Sequence, residues 1–211
     1  DHNGFDLPRF LASALTNLRS GSFAQGGSTL TMQLIDNTFT SQQEKKIESE
    51  QGSISAFTKI KLKIQEIYLS LIAEQTLNKE EIFDYYVNRI WFGSGDNTRG
   101  IQKAAKYFFN KDVSELNLSE SAFLAGAINA PDTYNPLNNL YKTDQDYLAN
   151  ATSRRNTTLA LMLQHGYITE TEYNLAKNSK LEFALQYTNI SSQDPNAPFI
   201  YQAVQEVIQL T

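Results

Sequence analysis

The chain has 211 residues, 41% of them hydrophobic and 19% charged. That length holds one large domain or two small ones and buries a core without staples, and the composition excludes a disordered charged tail. A net charge of −5 argues against a general nucleic-acid binder, and the absence of cysteine excludes disulfide frameworks, thiolate zinc sites and cysteine nucleophiles.

Asp1 to Asp6 contain no initiator Met and no basic lead-in, so the chain is expected to be cut from something longer. No apolar run approaches the roughly 18 residues of a membrane span. Helical periodicity then dominates. The spacing predicts a helix over 7–18, with Pro8 in its first turn, where a missing N–H costs nothing. A Gly-rich break follows over 21–27. Residues 28–37 read as a helix with Leu30, Leu34 and Ile35 on one side and Ser28, Thr29, Met32, Gln33, Asp36 and Asn37 on the other. The polar stretch 40–55 reads as a mobile loop. Residues 59–75 form the clearest amphipathic helix, with Ile60, Ile64, Ile67, Tyr68, Leu71 and Ile72 as its apolar stripe. Lys59, Lys63, Glu66 and Ser70 share another face.

Asn78 with Glu81 has the pattern of a capping box and opens a helix over 79–90. A Gly-containing loop over 91–100 precedes a helix over 101–109. Asn117 with Glu120 caps a helix to about 128, and 131–139 is a turn-rich loop. A long helix covers 144–164 and ends at Gly166, and Thr169 with Glu172 caps a short one. From Leu181 the pattern changes: Leu181, Phe183, Leu185 and Tyr187 alternate as in an extended segment. Residues 191–198 are linker-like and 199–210 are apolar at helical spacing. The chain is therefore mainly α, with a core up to about residue 178 and an appended tail. Tyr85, Tyr86, Trp91, Phe92, Tyr107, Phe108 and Phe109 read as core and loop anchors.

Three places could carry chemistry. Gly26-Gly27-Ser28-Thr29 enters a helix, where outward N–H groups and two hydroxyls suit an anion; its plainer reading is a Ser/Thr N-cap. Lys63 and Glu66, at i and i+3, stand side by side on one helix face; the plainer reading is a solvated ion pair of well under about 1 kcal/mol. Asp96-Asn97-Thr98-Arg99-Gly100 could hold Arg99 against an anion, or be an ordinary turn. His2 and His165 are too far apart in sequence to suggest a His-rich metal site.

The order of these pieces is more specific than any one of them. Gly26-Gly27-Ser28-Thr29-Leu30-Thr31-Met32-Gln33-Leu34, Lys63-Ile64-Gln65-Glu66, Tyr86-Val87-Asn88-Arg89-Ile90-Trp91-Phe92-Gly93, Gly100-Ile101 and Ala104-Ala105-Lys106-Tyr107-Phe108 follow one another. So do Glu120 to Ala125, Ala130 to Pro136 and Arg154 to Met162. In this order they resemble glycosyltransferase family 51, the peptidoglycan glycosyltransferase domain of class A penicillin-binding proteins, over about residues 1–178. The resemblance implies a lysozyme-like helical fold with a larger head lobe and a smaller membrane-proximal lobe. It implies polymerisation of lipid II, with inversion at the anomeric carbon and release of undecaprenyl pyrophosphate, on the outer face of the bacterial cytoplasmic membrane. Anchoring would come from a segment outside this chain. The partners it implies are lipid II, the nascent glycan strand, the membrane surface, moenomycin-type inhibitors and other cell-wall synthesis proteins, with no nucleic acid. A divalent cation, magnesium or manganese, is the one cofactor it leaves open.

Carried over by position, Glu66 matches the family's second essential Glu and Lys63 the Lys beside the pyrophosphate. Ser28, Thr29, Gln33 and Asn37, with Gly27, match donor-side contacts, and His2 with Gly4 matches the end of the first motif. Lys59, Lys61, Asn88 and Arg99 are further substrate-binding candidates. The resemblance places the proposed base, the Glu of the first motif, before Asp1, so this chain is expected to keep much of the donor site without turnover. Asp36 stands where the family usually has a Lys, Leu62 where an Arg commonly precedes the motif Lys, and Met32 for a frequent Gln. These departures motivate an alternative: a catalytically impaired homologue that binds cell-wall precursor or partner proteins. A lysozyme-like glycan hydrolase is a third reading, against which the pyrophosphate-type motifs argue. No Ser-x-x-Lys of a transpeptidase occurs, and 179–211 reads as an extended segment and linker helix toward a C-terminal transpeptidase domain.

Overall fold

The computed structural model describes residues 3–20, 26–93, 98–139 and 146–184. Among them every regular element is helical, and one isolated antiparallel bridge joins Trp91 to Arg99. The helices gather into two compact units. Leu185, Tyr187 and the stretches 191–198 and 199–210 lie outside the described residues, as does His2.

The first unit comprises Asp1–Trp91 and Arg99–Ile101. Its helices are α1 (Leu7–Ser20), α2 (Leu30–Ile35), α3 (Ser41–Gln51), α4 (Ala56–Thr76) and α5 (Lys79–Arg89), with a π-helical turn at Asp36–Thr40 between α2 and α3. The capping box at Asn78 and Glu81 is formed as expected, each side chain accepting from the other's backbone N–H. The loop expected over 40–55 is instead largely α3. Its Gln, Glu and Lys are good helix formers, none of its residues is buried, and Gly52 closes it in the left-handed conformation at φ 75°. High polarity marked a solvated surface there, not an absence of structure.

Helix α4 departs further from its sequence pattern. Its buried line is Leu62, Glu66 and Ser70. The apolar stripe faces away from the core, with Ile60 59%, Ile64 63% and Tyr68 63% exposed. Burial follows the neighbours. Helix α2 packs on α4, and Gly4, at φ 91°, lies so close that a Cβ there would stand 2.5 Å from the Ser70 carbonyl oxygen. Small and internally paired side chains suit that approach. The Ser70 hydroxyl donates to the Glu66 carbonyl.

The second unit comprises Phe92–Thr98 and Gln102–Thr211. It holds α6 (Ile101–Phe109), entered from the first unit's last residue, then α7 (Leu118–Ala127), α8 (Pro131–Tyr134), α9 (Asp146–Gln164) and α10 (Glu170–Asn178). Short 3-10 turns occupy Val113–Glu115 and Pro136–Asn139, so the turn-rich loop over 131–139 is two short helical turns. The boxes at Asn117/Glu120 and Thr169/Glu172 are both formed. Phe108, Phe109, Phe123 and Phe183 make one cluster of rings at 5.1–6.3 Å. Residues 181–184 carry no regular element, but the Ala184 N–H donates to the Phe108 carbonyl at 2.7 Å, which holds Phe183 in that cluster. Of the expected aromatic anchors, Tyr86, Phe92, Phe108 and Phe109 are buried, whereas Tyr85 and Trp91 are exposed.

Helices α7 and α9 form the tightest packing of this unit. Gly126 permits it: a Cβ there would lie 2.6 Å from Thr158 Oγ1 and 3.0 Å from Arg154 Cγ. Arg154 Nε also donates to the Gly126 carbonyl at 2.8 Å. Gly126→Ala is expected to lower stability by about 1–3 kcal/mol through overpacking. The midpoint of urea unfolding measures this, and an unchanged midpoint contradicts the packing described.

Candidate functional site

The Ser55 hydroxyl caps α4 by accepting from the Thr58 N–H, and the helix carries Lys63 and Glu66 one turn apart. Lys63 Nζ donates to Glu66 Oε1 at 2.6 Å and to Ser28 Oγ at 2.9 Å. Two of its three N–H groups are thus used. The Lys63 side chain keeps 36% exposure while that of Glu66 keeps 7%. The pair is therefore not the solvated surface bridge of the plainer reading: a half-buried ammonium rests on a buried carboxylate and a hydroxyl. Burial pushes the Glu66 carboxyl above its ordinary range, the Lys63 hydrogen bond and charge oppose this, and the charge of Asp36 adds to the rise.

Asp36 opens the π-helical turn and accepts from the Thr40 hydroxyl at 2.7 Å. Such turns inside helices recur at functional sites. It falls where the sequence reading passes from a helix over 28–37 to a loop over 40–55, and no residue pattern marks a single widened turn.

The Gly26-to-Thr29 entrance divides its labour. Thr29 is the N-cap of α2, accepting from the Met32 N–H at 3.2 Å and donating to the Gly4 carbonyl at 2.7 Å. It is buried, so the plain capping reading holds for Thr29, while Ser28 serves Lys63. Gly27 is required by contact, since a Cβ there would lie 2.3 Å from Ser13 Oγ. Met32, expected on the polar face, is wholly buried, and Leu62 is buried as well. Both departures thus fill the core and do not line a ligand surface.

Gln33 is exposed, and its Oε1 accepts from the Tyr86 hydroxyl at 2.9 Å. That bond uses the amide oxygen and leaves the Gln33 NH2 available as a donor. Tyr86 is itself buried, which raises its phenol pKa and keeps it a donor. Tyr86 is thus a core anchor, as expected, and the first residue of the Tyr86-to-Gly93 segment as well; its bond to Gln33 is what the sequence does not show. Asn37 Nδ2 donates to the Gln33 carbonyl at 2.9 Å. Lys59 lies one turn before Lys63 on the same face, exposed and without an ion pair among the described residues. Lys61 is exposed too, but two residues from Lys63 it falls on the far side of the helix.

Asn88 and Arg99 stand apart. Asn88 Nδ2 donates to the Asp84 carbonyl, and the backbone of Asn88 backs onto Gly100. Neither Asn88 nor Arg99 shares a hydrogen bond or ion pair with Lys63 or Glu66. Sequence reasoning passed over Glu74, whose nearly buried carboxylate accepts from the Thr31 hydroxyl and from Lys79. Its place two turns beyond Glu66 on the buried line of α4 was the available signal. Among the described residues no group of three His, Asp or Glu side chains is placed to hold a metal ion.

A family model described as transglycosylase matches residues 1–163. Penicillin-binding protein 1A of Clostridium botulinum is 38% identical over 191 residues, which cover 87% of this chain and 21% of that protein. The Vibrio cholerae protein of the same name is 35% identical over 200 residues, 95% of this chain and 21% of the relative. Penicillin-binding protein 1A/1B of Bacillus subtilis is 35% identical over 178 residues, 84% and 17%. The crystal structure of penicillin-binding protein 1A from Haemophilus influenzae is 22% identical, covers 84% of this chain and 19% of that one, and superposes with a TM-score of 0.42. The chain spans about a fifth of the length of these curated relatives.

Proposed function

The chain belongs to the transglycosylase family, and from that premise we propose that it is a peptidoglycan glycosyltransferase acting on lipid II. Residues 1–178 are the unit to which we assign the activity. In the reaction, the C4 hydroxyl oxygen of the acceptor sugar bonds to C1 of the donor. The C1–oxygen bond to undecaprenyl pyrophosphate breaks, and the pyrophosphate leaves with the electron pair. The hydroxyl proton passes to a carboxylate base, which the resemblance assigns to the first motif.

The observation that carries the reading is the Lys63 ammonium held between Glu66 and Ser28 with one N–H to spare. A departing pyrophosphate gains negative charge, and a pre-placed cation stabilises it without reorganisation at the moment of bond breaking. Glu66 holds that cation in place. Gln33, held through its amide oxygen by Tyr86, and Lys59, one turn from Lys63, supply further donors toward the donor substrate. Ser28 acts through Lys63, and Thr29, Gly27 and Asn37 hold the backbone that presents them. Arg99 and Asn88 are assigned to substrate outside this cluster.

The exposed apolar side chains support a bilayer-facing role. Leu7, Leu11 and Leu15 recur one turn apart on α1, and Phe57, Ile60, Ile64 and Tyr68 line α4, all exposed. Apolar surface of this extent marks an interaction face. No described helix is long and apolar enough to cross a membrane. We assign these faces to the outer leaflet of the bacterial cytoplasmic membrane, where lipid II is presented.

Asp36 favours a second reading, a homologue that binds precursor without polymerising it. Its carboxylate acts on Glu66 and would repel a pyrophosphate. Moenomycin binding together with lipid II polymerisation separates the two. Lys63→Met is expected to weaken moenomycin binding about tenfold or more, the scale of losing a charge-assisted hydrogen bond, and to slow polymerisation with it. Asp36→Lys is expected to tighten binding. Moenomycin binding without polymerisation by a chain that also carries the first-motif Glu favours the second reading, and unaltered binding in Lys63→Met removes the first.

A further inference from the structure

An apolar hollow lies elsewhere in the first unit. Helix α2, the π-helical turn, α4 and α5 line an open cavity of about 320 Å³. Its walls are apolar, chiefly Leu34, Ile35, Phe39, Leu69 and Ile72, and Arg89 is the one charged residue in its lining. The α4 residues that line it, Leu69, Ile72, Ala73 and Thr76, centre about 70° round the helix from the line of Leu62, Glu66 and Ser70, and none of Ser28, Gln33, Lys63 or Glu66 is in its lining. The cavity is therefore separate from the Lys63 cluster.

Arg89 is exposed and makes no ion pair or hydrogen bond among the described residues. As the basic residue of the last turn of α5 it complements the helix dipole, but this leaves its planar fork of donors without a partner. Such a fork fits the oxygens of a phosphate. The volume stands at the low end of ligand cavities, too small for a packed helix. An apolar hollow with one unpaired cation in its lining matches an amphiphile with a flexible apolar chain and an anionic head. A free anion would leave the apolar walls unused, and a neutral lipid would leave Arg89 unused.

We infer that this cavity binds one chain of an anionic phospholipid, with the lipid phosphate on Arg89, as a lipid site distinct from the Lys63 cluster. The inference rests on the bilayer-facing part of the function proposed above and not on polymerisation. Phe39 and Ile72 are exposed at the cavity, so a chain can enter from a surface that already carries apolar side chains.

The test titrates monomeric dihexanoyl-phosphatidylglycerol into the chain below its micelle concentration, with dihexanoyl-phosphatidylcholine in parallel. Amide shifts of Leu69, Ile72 and Ala73, and the fluorescence of the single Trp91, report occupancy. The anionic analogue is expected to bind saturably and more tightly than the zwitterionic one. Arg89→Gln is expected to lower its affinity about two- to fivefold, as for an exposed charge pair, and to erase the preference, whereas Arg89→Lys retains part of it. Ala73→Phe, which fills the hollow, is expected to abolish binding of both. Moenomycin binding in the same samples reports the Lys63 cluster and is expected to stay constant in the Arg89 variants, so failure here is distinct from failure there. An unchanged preference in Arg89→Gln, or unchanged affinity in an Ala73→Phe variant that keeps its helical spectrum, overturns the inference. Self-association abolished by Ala73→Phe, with no lipid-dependent shift, overturns it too and assigns the hollow to a second copy of the chain.

Discussion

In a chain that also carries the first-motif Glu, Glu66→Gln is expected to reduce lipid II polymerisation by about a hundredfold or more while the protein remains folded. Gln has the size and shape of Glu and still accepts a hydrogen bond from Lys63, so the geometry of the cluster survives. The negative charge does not. Glu66 is 5% exposed, and without its carboxylate the ammonium loses the charged partner that fixes it beside Ser28. The loss should fall mainly on turnover, because the cation matters most when the leaving pyrophosphate gains charge. Polymerisation at wild-type rate in Glu66→Gln would falsify the role given to Glu66.

The same variant has a stability signature. The folded-state carboxyl pKa of Glu66 is raised, chiefly by burial. In the window between its unfolded and folded pKa values, the native state holds more protons than the unfolded one. This group's contribution to stability therefore falls as pH rises through that window, and the cost is absent below the unfolded value. Gln carries no such cost. Relative to wild type, Glu66→Gln should be more favourable at neutral pH than at a pH below about 4. Urea midpoints of both proteins at the two pH values measure the difference. A gap that widens toward acid contradicts the assigned direction.

Arg155→Met is expected to produce the largest loss of stability, about 3–5 kcal/mol. Arg155 is 2% exposed and has no carboxylate among its partners. Its Nη1 donates to Ser119 Oγ and to the carbonyls of Ala176 at 2.8 Å and Ser179 at 3.0 Å. Nη2 donates to the Lys177 carbonyl at 3.0 Å, and Nε to Asn156 Oδ1 at 2.8 Å. The guanidinium thus closes the C-terminal end of α10, where free carbonyls and the negative end of the helix dipole gather. Burial lowers its pKa, and the carbonyl cage is what keeps the cation in place. Met fills much of the same volume but leaves these acceptors unpaired. A fall in Tm on the order of ten degrees follows for a chain of this size. Arg155→Lys should recover part of it, since an ammonium retains three donors. A Met variant melting within two degrees or so of wild type would show that water satisfies the carbonyls equally well.

Much of this protein was legible residue by residue. The boxes at Asn78/Glu81, Asn117/Glu120 and Thr169/Glu172 marked three helix starts, because a cap is settled within one turn of chain. The neighbourhood of Lys63 and Glu66 follows from i, i+3 spacing alone. What that pair means did not follow. Its burial depends on α2 covering one side of α4, and Ser28 reaches Lys63 across 35 residues. Tyr86 reaches Gln33 across 53. The carbonyls that Arg155 gathers come from a helix it does not belong to. The apolar periodicity of α4 pointed to the wrong face for the same reason. A hydrophobic stripe records which side of a helix leaves water, into the core or into an apolar environment outside it, and only the packing of neighbouring helices decides between the two.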